Sequence, residues 1–121
     1  MKFKPLGRTG VHVSALCFGT MSFGGDADEA MSASMYQACR DAGVNFFDCA
    51  DQYNNGRSEE ILGGLIQGHR DDLVLTTKCF NPLSTDINAR GTSRRHVVRA
   101  IEASLFHQLK LVANGESAEA D

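Results

Sequence analysis

Apolar and polar residues alternate on both sides of Leu6-Gly7-Arg8-Thr9-Gly10, which predicts a small hairpin over residues 2–13 closed by a glycine-containing turn. Residues 15–21 are then continuously apolar in character, as in a strand covered on both faces. Asp26-Ala27-Asp28-Glu29 reads as a capping box, with Asp26 as cap and Glu29 three residues on. It opens a helix to about Ala42 that carries Met31, Met35, Ala38 and Ala42 on one stripe and stops at Gly43. The unit repeats. Residues 44–49 form a second strand, and Ser58 caps a helix bearing Ile61, Leu62, Leu65 and Ile66 that ends at Gly68. Residues 73–78 form a third strand, and Ser93 caps a third helix with Val97, Ile101 and Leu105 four apart. Buried strands alternating with helices imply right-handed βαβ units around a parallel sheet. From 106 onward the pattern lapses into a short apolar run, in which Leu109, Leu111 and Val112 could attempt a fourth strand. An acidic, low-complexity end follows, read here as a frayed tail.

Bulk properties narrow the function classes. A chain of 121 residues holds one ordinary domain, and 42% hydrophobic with 22% charged residues is usual for a soluble globular protein. The formal charge is −3, and Glu116, Glu119 and Asp121 at the end account for it, so the body is near neutral and carries no electrostatic footprint for nucleic acid. Cys17, Cys39, Cys49 and Cys79 are far apart, with no CxxC and no histidine at metal spacing, so no metal site is expected. Each lies in or beside an apolar run and reads as a small hydrophobe in a reducing, cytoplasmic compartment. The N-terminus lacks the apolar core of a signal peptide, and no run approaches the ~18 apolar residues of a membrane span.

The chemistry-bearing residues gather at two strand ends. Side chains alternate along a strand, so Phe46 and Asp48 share one face while Phe47 and Cys49 share the other. In the third strand Val74, Thr76 and Lys78 share a face. Side by side in a parallel sheet, Asp48 and Lys78 meet at the C-terminal edge, where α/β folds place their sites. On spacing alone, a plain buried salt bridge is the alternative. Tyr53 lies five residues beyond Asp48, in a loop of Asn54, Asn55 and Gly56 able to fold back over the strand end. A phenol beside an ammonium ion is drawn toward its ionised form and becomes a usable general acid for an alkoxide forming from a carbonyl. An amphipathic loop tyrosine is the alternative there.

Residues 1–105 resemble the aldo-keto reductase family, especially its bacterial and potassium-channel-β-subunit-like branch. The resemblance is carried by Leu6-Gly7-Arg8-Thr9-Gly10, Phe18-Gly19-Thr20-Met21, Phe47-Asp48-Cys49-Ala50-Asp51-Gln52-Tyr53, Gly56-Arg57-Ser58-Glu59 and Thr77-Lys78. It implies the first three βα units of a (β/α)8 TIM barrel preceded by a β-hairpin, about the first third to half of a fold that takes roughly 250 residues. It also implies NADPH-dependent reduction of aldehydes or ketones, with Tyr53 as proton donor, Lys78 lowering its pKa and Asp48 pairing with the lysine. Gly19, Thr20 and Met21, with Asp48, would lie against the nicotinamide end of the cofactor.

Some family features have no counterpart in the chain. The family's active-site histidine at the fourth strand is missing, since His12, His69, His96 and His107 all read as surface or core-edge residues. The main grip on the cofactor's phosphates belongs to later strands, and Gly19, Gly24 and Gly25 do not compose a GxGxxG fingerprint. Arg94 and Arg95 at the third helix read as a solvated pair. The expectation is therefore the N-terminal part of a reductase (residues 1–105) with a divergent tail (106–121), inactive or very weak alone. Two alternatives stand beside it: a non-catalytic remnant that binds partners, or itself, through open sheet edges, and a full barrel assembled from two chains. The particular carbonyl substrate is not legible.

Overall fold

The computed structural model describes residues 1–105, so the expected tail, its fourth-strand alternative and His107 lie outside the described residues. Strands β1 (Phe3–Pro5) and β2 (His12–Ser14) form the antiparallel hairpin, with Gly7 and Gly10 both at positive φ in the turn. Strands β3 (Phe18–Gly19), β4 (Phe46–Asp48) and β5 (Val74–Thr76) form one parallel sheet in the order β3-β4-β5. Helices α1 (Glu29–Asp41), α2 (Arg57–Leu65) and α3 (Arg94–Ala103) follow the three strands in turn. The three βα units are those the sequence predicts, and among the described residues the sheet is an open arc rather than a closed barrel. The hairpin is bound to the N-terminal end of β4: Asn45 Oδ1 accepts from Ser14 N at 2.7 Å, and Asn45 Nδ2 donates to the His12 carbonyl.

The core lies between the sheet and the helices. Phe47 is fully buried at its centre, with ring centroids 5.1 Å from Tyr36 and 6.1 Å from Phe18, and Ile61, Leu62 and Ile66 of the second unit close over it. Helix α1 ends in a Schellman arrangement: Gly43 N bonds the Arg40 carbonyl and Val44 N the Cys39 carbonyl, with Gly43 at φ +84°.

Several local expectations need correcting. The strand predicted over 15–21 is confined to two residues, and Leu16 and Met21 are about two-thirds exposed, at 64% and 67%. Cys17 is exposed as well, since the face of β3 turned away from the helices has nothing laid over it among the described residues. The cap of α1 is Asp28, whose side chain accepts from Met31 N at 2.8 Å, and not Asp26. The buried side of α1 is Ser32 and Tyr36 with partly buried Met35 and Cys39, while Met31, Ala38 and Ala42 face out. Helix α3 likewise buries His96, Ala100 and Ser104 and exposes Ile101 and Leu105. In both helices the stripe is turned by one residue for the same reason. Polar side chains there find partners: Ser32 Oγ donates to the Ala27 carbonyl, and Tyr36 Oη meets His69 Nε2 at 2.6 Å. Ser58 does not cap α2. Gly56 does, at φ +86°, and Ser58 sits fully buried in the first turn.

Candidate active site

The three strands end in step. Gly19 is the register partner of Asp48, and Asp48 that of Thr76, so their inner faces present one short row at the C-terminal edge. Alternation puts Phe47 into the core and Asp48 onto the opposite, open face. Lys78, two residues past β5, returns to that face and closes the cluster.

Lys78 Nζ donates to Asp48 Oδ2 at 2.5 Å, to the Cys49 carbonyl at 2.8 Å and to Tyr53 Oη at 3.2 Å. An ammonium ion has three N–H groups, and all three are allocated. Thr76 Oγ1 donates to Asp48 Oδ1 at 2.7 Å, so both carboxylate oxygens are engaged. The Tyr53 oxygen accepts from Lys78, which leaves its own proton to point away from the cluster, and Nζ also lies 5.0 Å from the Tyr53 ring centroid. Partial burial works against the charge on Lys78. The bonds to Asp48 and Tyr53 and the Asp48 charge outweigh it, holding the amine above the ordinary lysine range. The pair stands at the sheet's edge with the lysine side chain half exposed, not in the interior as the buried-salt-bridge alternative supposes.

Tyr53 is delivered by a tight loop. Asn54 and Asn55 both adopt left-handed backbone, at φ 50° and 56°, immediately before Gly56. Asn54 Nδ2 donates to the carbonyls of Met21 and Phe23, each at 2.8 Å, and so ties this loop to the one after β3. Gly25 leaves room for this amide, because a Cβ on it would lie 2.6 Å from Asn54 Oδ1 and force the side chain to move.

Of the other predicted site residues, Gly19 is exposed at the edge with nothing within 4 Å of an added Cβ, and Met21, two residues on, is exposed as well. Thr20 is turned inward and fully buried; its N–H and hydroxyl both donate to the Asp48 carbonyl, and Ser58 Oγ donates to the Thr20 carbonyl at 2.7 Å. The sequence reading missed Thr76, the Cys49 carbonyl and Asn54. Thr76 was within reach, since it shares the face of Lys78. The backbone carbonyl and the bridging amide leave no sequence signal. Among the described residues, no group of three or more His, Cys, Asp or Glu is placed to hold a metal ion, and no helix is long and apolar enough to cross a membrane.

The Aldo/keto reductase family profile matches residues 15–109. The chain belongs to the aldo/keto reductase family. It is 44% identical over 109 residues to a probable voltage-gated potassium channel subunit beta of Oryza sativa subsp. japonica, covering 87% of this chain and 33% of that one. It is 40% identical over 116 residues to an uncharacterized oxidoreductase of Bacillus subtilis (strain 168), covering 87% and 36%. The solved structure of an aldo-keto reductase from Bacillus halodurans (holo form) superposes with a TM-score of 0.80 at 33% identity, over 90% of this chain and 36% of that one. The chain thus spans about a third of the length of the curated relatives it matches, and its three βα units correspond to part of an aldo/keto reductase (β/α)8 barrel.

Proposed function

We propose that this chain carries the acid–base corner of an NADPH-dependent reductase that converts aldehydes or ketones to alcohols. The single observation behind the reading is Lys78 Nζ, hydrogen-bonded to Asp48 Oδ2 and Tyr53 Oη together. In this scheme Tyr53 delivers its proton to the carbonyl oxygen as negative charge develops there. Lys78 stabilises the phenolate left behind, and Asp48 keeps the ammonium charged and aimed. Gly19 and Met21 are exposed and carry no charge of their own, which suits a flat ring, whereas the Thr20 side chain is spent in the core. NADPH, when bound, supplies the hydride. Gly19 and Met21, with Asp48 beside them, are the residues of this chain that would lie against its nicotinamide end.

The test measures NADPH absorbance with a panel of aldehydes. The 121-residue chain alone should show no measurable turnover, because orienting hydride donor and acceptor supplies much of the barrier reduction. A chimera in which residues 1–105 replace the matching part of the Bacillus halodurans reductase should turn over. In that chimera Tyr53→Phe should lower the rate by about 10²- to 10⁴-fold. A chimera that binds NADPH and keeps its rate with Tyr53→Phe sinks the assignment.

Exposed apolar side chains support a second reading, association with another chain. Phe80 and Ile87 in the loop after β5 and Ile101 on α3 are exposed, and the far edge of β5 is unpaired among the described residues. Sedimentation of the purified chain, monomeric at all concentrations, would remove that reading.

A further inference from the structure

Past β5 the ladder to β4 ends, yet the next three residues must still deliver Lys78 to an ångström-scale target. Each of them is held, Thr77 and Cys79 by side chains of α2 and α3 and Lys78 by the backbone that continues from β4. Thr77 Oγ1 donates to Glu59 Oε1 at 2.5 Å, and Glu59 is a fully buried carboxylate in the first turn of α2. The Lys78 carbonyl accepts from Asp51 N at 3.1 Å. The Cys79 carbonyl lies 2.6 Å from Nε2 of His96, a buried residue of α3. A carbonyl only accepts, so Nε2 carries the proton and donates.

None of these groups touches Asp48, Tyr53 or the lysine amine. Glu59 is held in turn from the other side, since Ser104 Oγ of α3 donates to its Oε2 at 3.0 Å. Asp51 is buried alongside, with Oδ2 lacking a hydrogen-bond partner among the described residues; its charge acts on Glu59, and that of His96 acts on Asp51. Burial on this scale is costly for carboxylates and is not needed to close a core. What the cluster does share is one chain segment, 77–79.

We propose that Glu59 and His96 are positioning residues for Lys78: by holding Thr77 and Cys79, its neighbours on either side, they fix the approach of the amine to Asp48 and Tyr53. This inference rests on the acid–base reading above. It predicts that loosening either neighbour weakens the contacts that keep the lysine charged, without removing any group of the site itself.

The chain has four lysines, so ¹³C-lysine labelling gives a tractable NMR spectrum in which Lys78→Met assigns the signal. The readout is the pH midpoint of Lys78. Asp48→Asn should lower it, as the acid–base reading requires. Thr77→Val and His96→Phe should lower it in the same direction, while Thr77→Ser and His96→Gln, which keep the donors, should restore the parent midpoint. Thr77 is exposed, so its valine variant carries the test if His96→Phe fails to fold. A folded Thr77→Val chain with the parent midpoint, against an Asp48→Asn chain that shifts, overturns the positioning role and leaves the acid–base reading standing. If Asp48→Asn itself shifts nothing, the acid–base reading fails first and this inference falls with it.

Discussion

Tyr53 Oη and Lys78 Nζ lie 25 residues apart in sequence and 3.2 Å apart in space. The contact depends on two separate strand ends arriving at one edge, so anything that displaces β4 from β5 is read out at this pair. It also makes the lysine's charge part of the folding equilibrium.

Lys78 is held above its ordinary value of 10.5 in the folded chain. A base with a raised folded pKa contributes stability that is fully present below its unfolded pKa and is lost as pH rises through the folded one. Urea unfolding of parent and Lys78→Met should therefore differ by a constant amount between pH 7 and about pH 10, and the difference should shrink above that. The amount will be small, about 1 kcal/mol or less, because the pair is half exposed. A difference that grows with pH contradicts the arrangement.

Glu59 gives the opposite test. Burial, first, and then the nearby Asp51 charge lift its carboxyl above the usual 4.5, against the bonds from Thr77 and Ser104. An acid raised on folding contributes stability below its unfolded pKa and loses it as pH climbs through the folded value. Glu59→Gln keeps an acceptor for Thr77 and cannot ionise. It should be at least as stable as the parent at pH 7, with that advantage vanishing below about pH 4. A glutamine chain much less stable than the parent at pH 7 would refute this account of the buried carboxylate.

Phe47 is the structural counterweight to Asp48. Replacing it with alanine removes a fully buried ring that contacts Tyr36 and Phe18. The expected cost is about 3–5 kcal/mol, enough to unfold a small domain. Circular dichroism during urea titration will show it, and a Phe47→Ala chain with the parent's midpoint would mean the core lies elsewhere.

A strand has a period of two and no freedom about it, so Phe46, Phe47 and Asp48 can face only two ways. Asp48 and Lys78 were legible for that reason. Helix faces were less legible. Counting apolar residues favoured Met31, Ala38, Ile101 and Leu105, but burial went to Ser32, Tyr36, His96 and Ser104, each of which has a hydrogen-bond partner inside. A partner is a tertiary fact, and the local pattern does not encode it. Ser58 illustrates the same point at a helix start: its hydroxyl donates to the Thr20 carbonyl across 38 residues instead of capping its own helix.

The loop that carries Tyr53 is predicted to be coupled to the loop after β3. Asn54→Ala loses two hydrogen bonds and should cost about 1–3 kcal/mol. Gly25→Ala drives a methyl into the same amide. Since each change disables one junction, the double variant should be less destabilised than the sum of the singles. Additive effects in a double-mutant cycle would show that the two loops do not communicate.

Register carries a further consequence. The residue that anchors the core and the residue that holds the lysine are consecutive, Phe47 and Asp48, and face opposite ways. A one-residue slip of β4 against β3 and β5 would push the carboxylate among Leu62 and Ile66 and turn the phenylalanine outward. Such a chain would lose its packing at the same moment as its chemistry. Hydrophobic burial therefore serves as a proofreading step for the acid–base corner, because a misthreaded sheet is discarded as unstable before it can persist as a folded, inert protein.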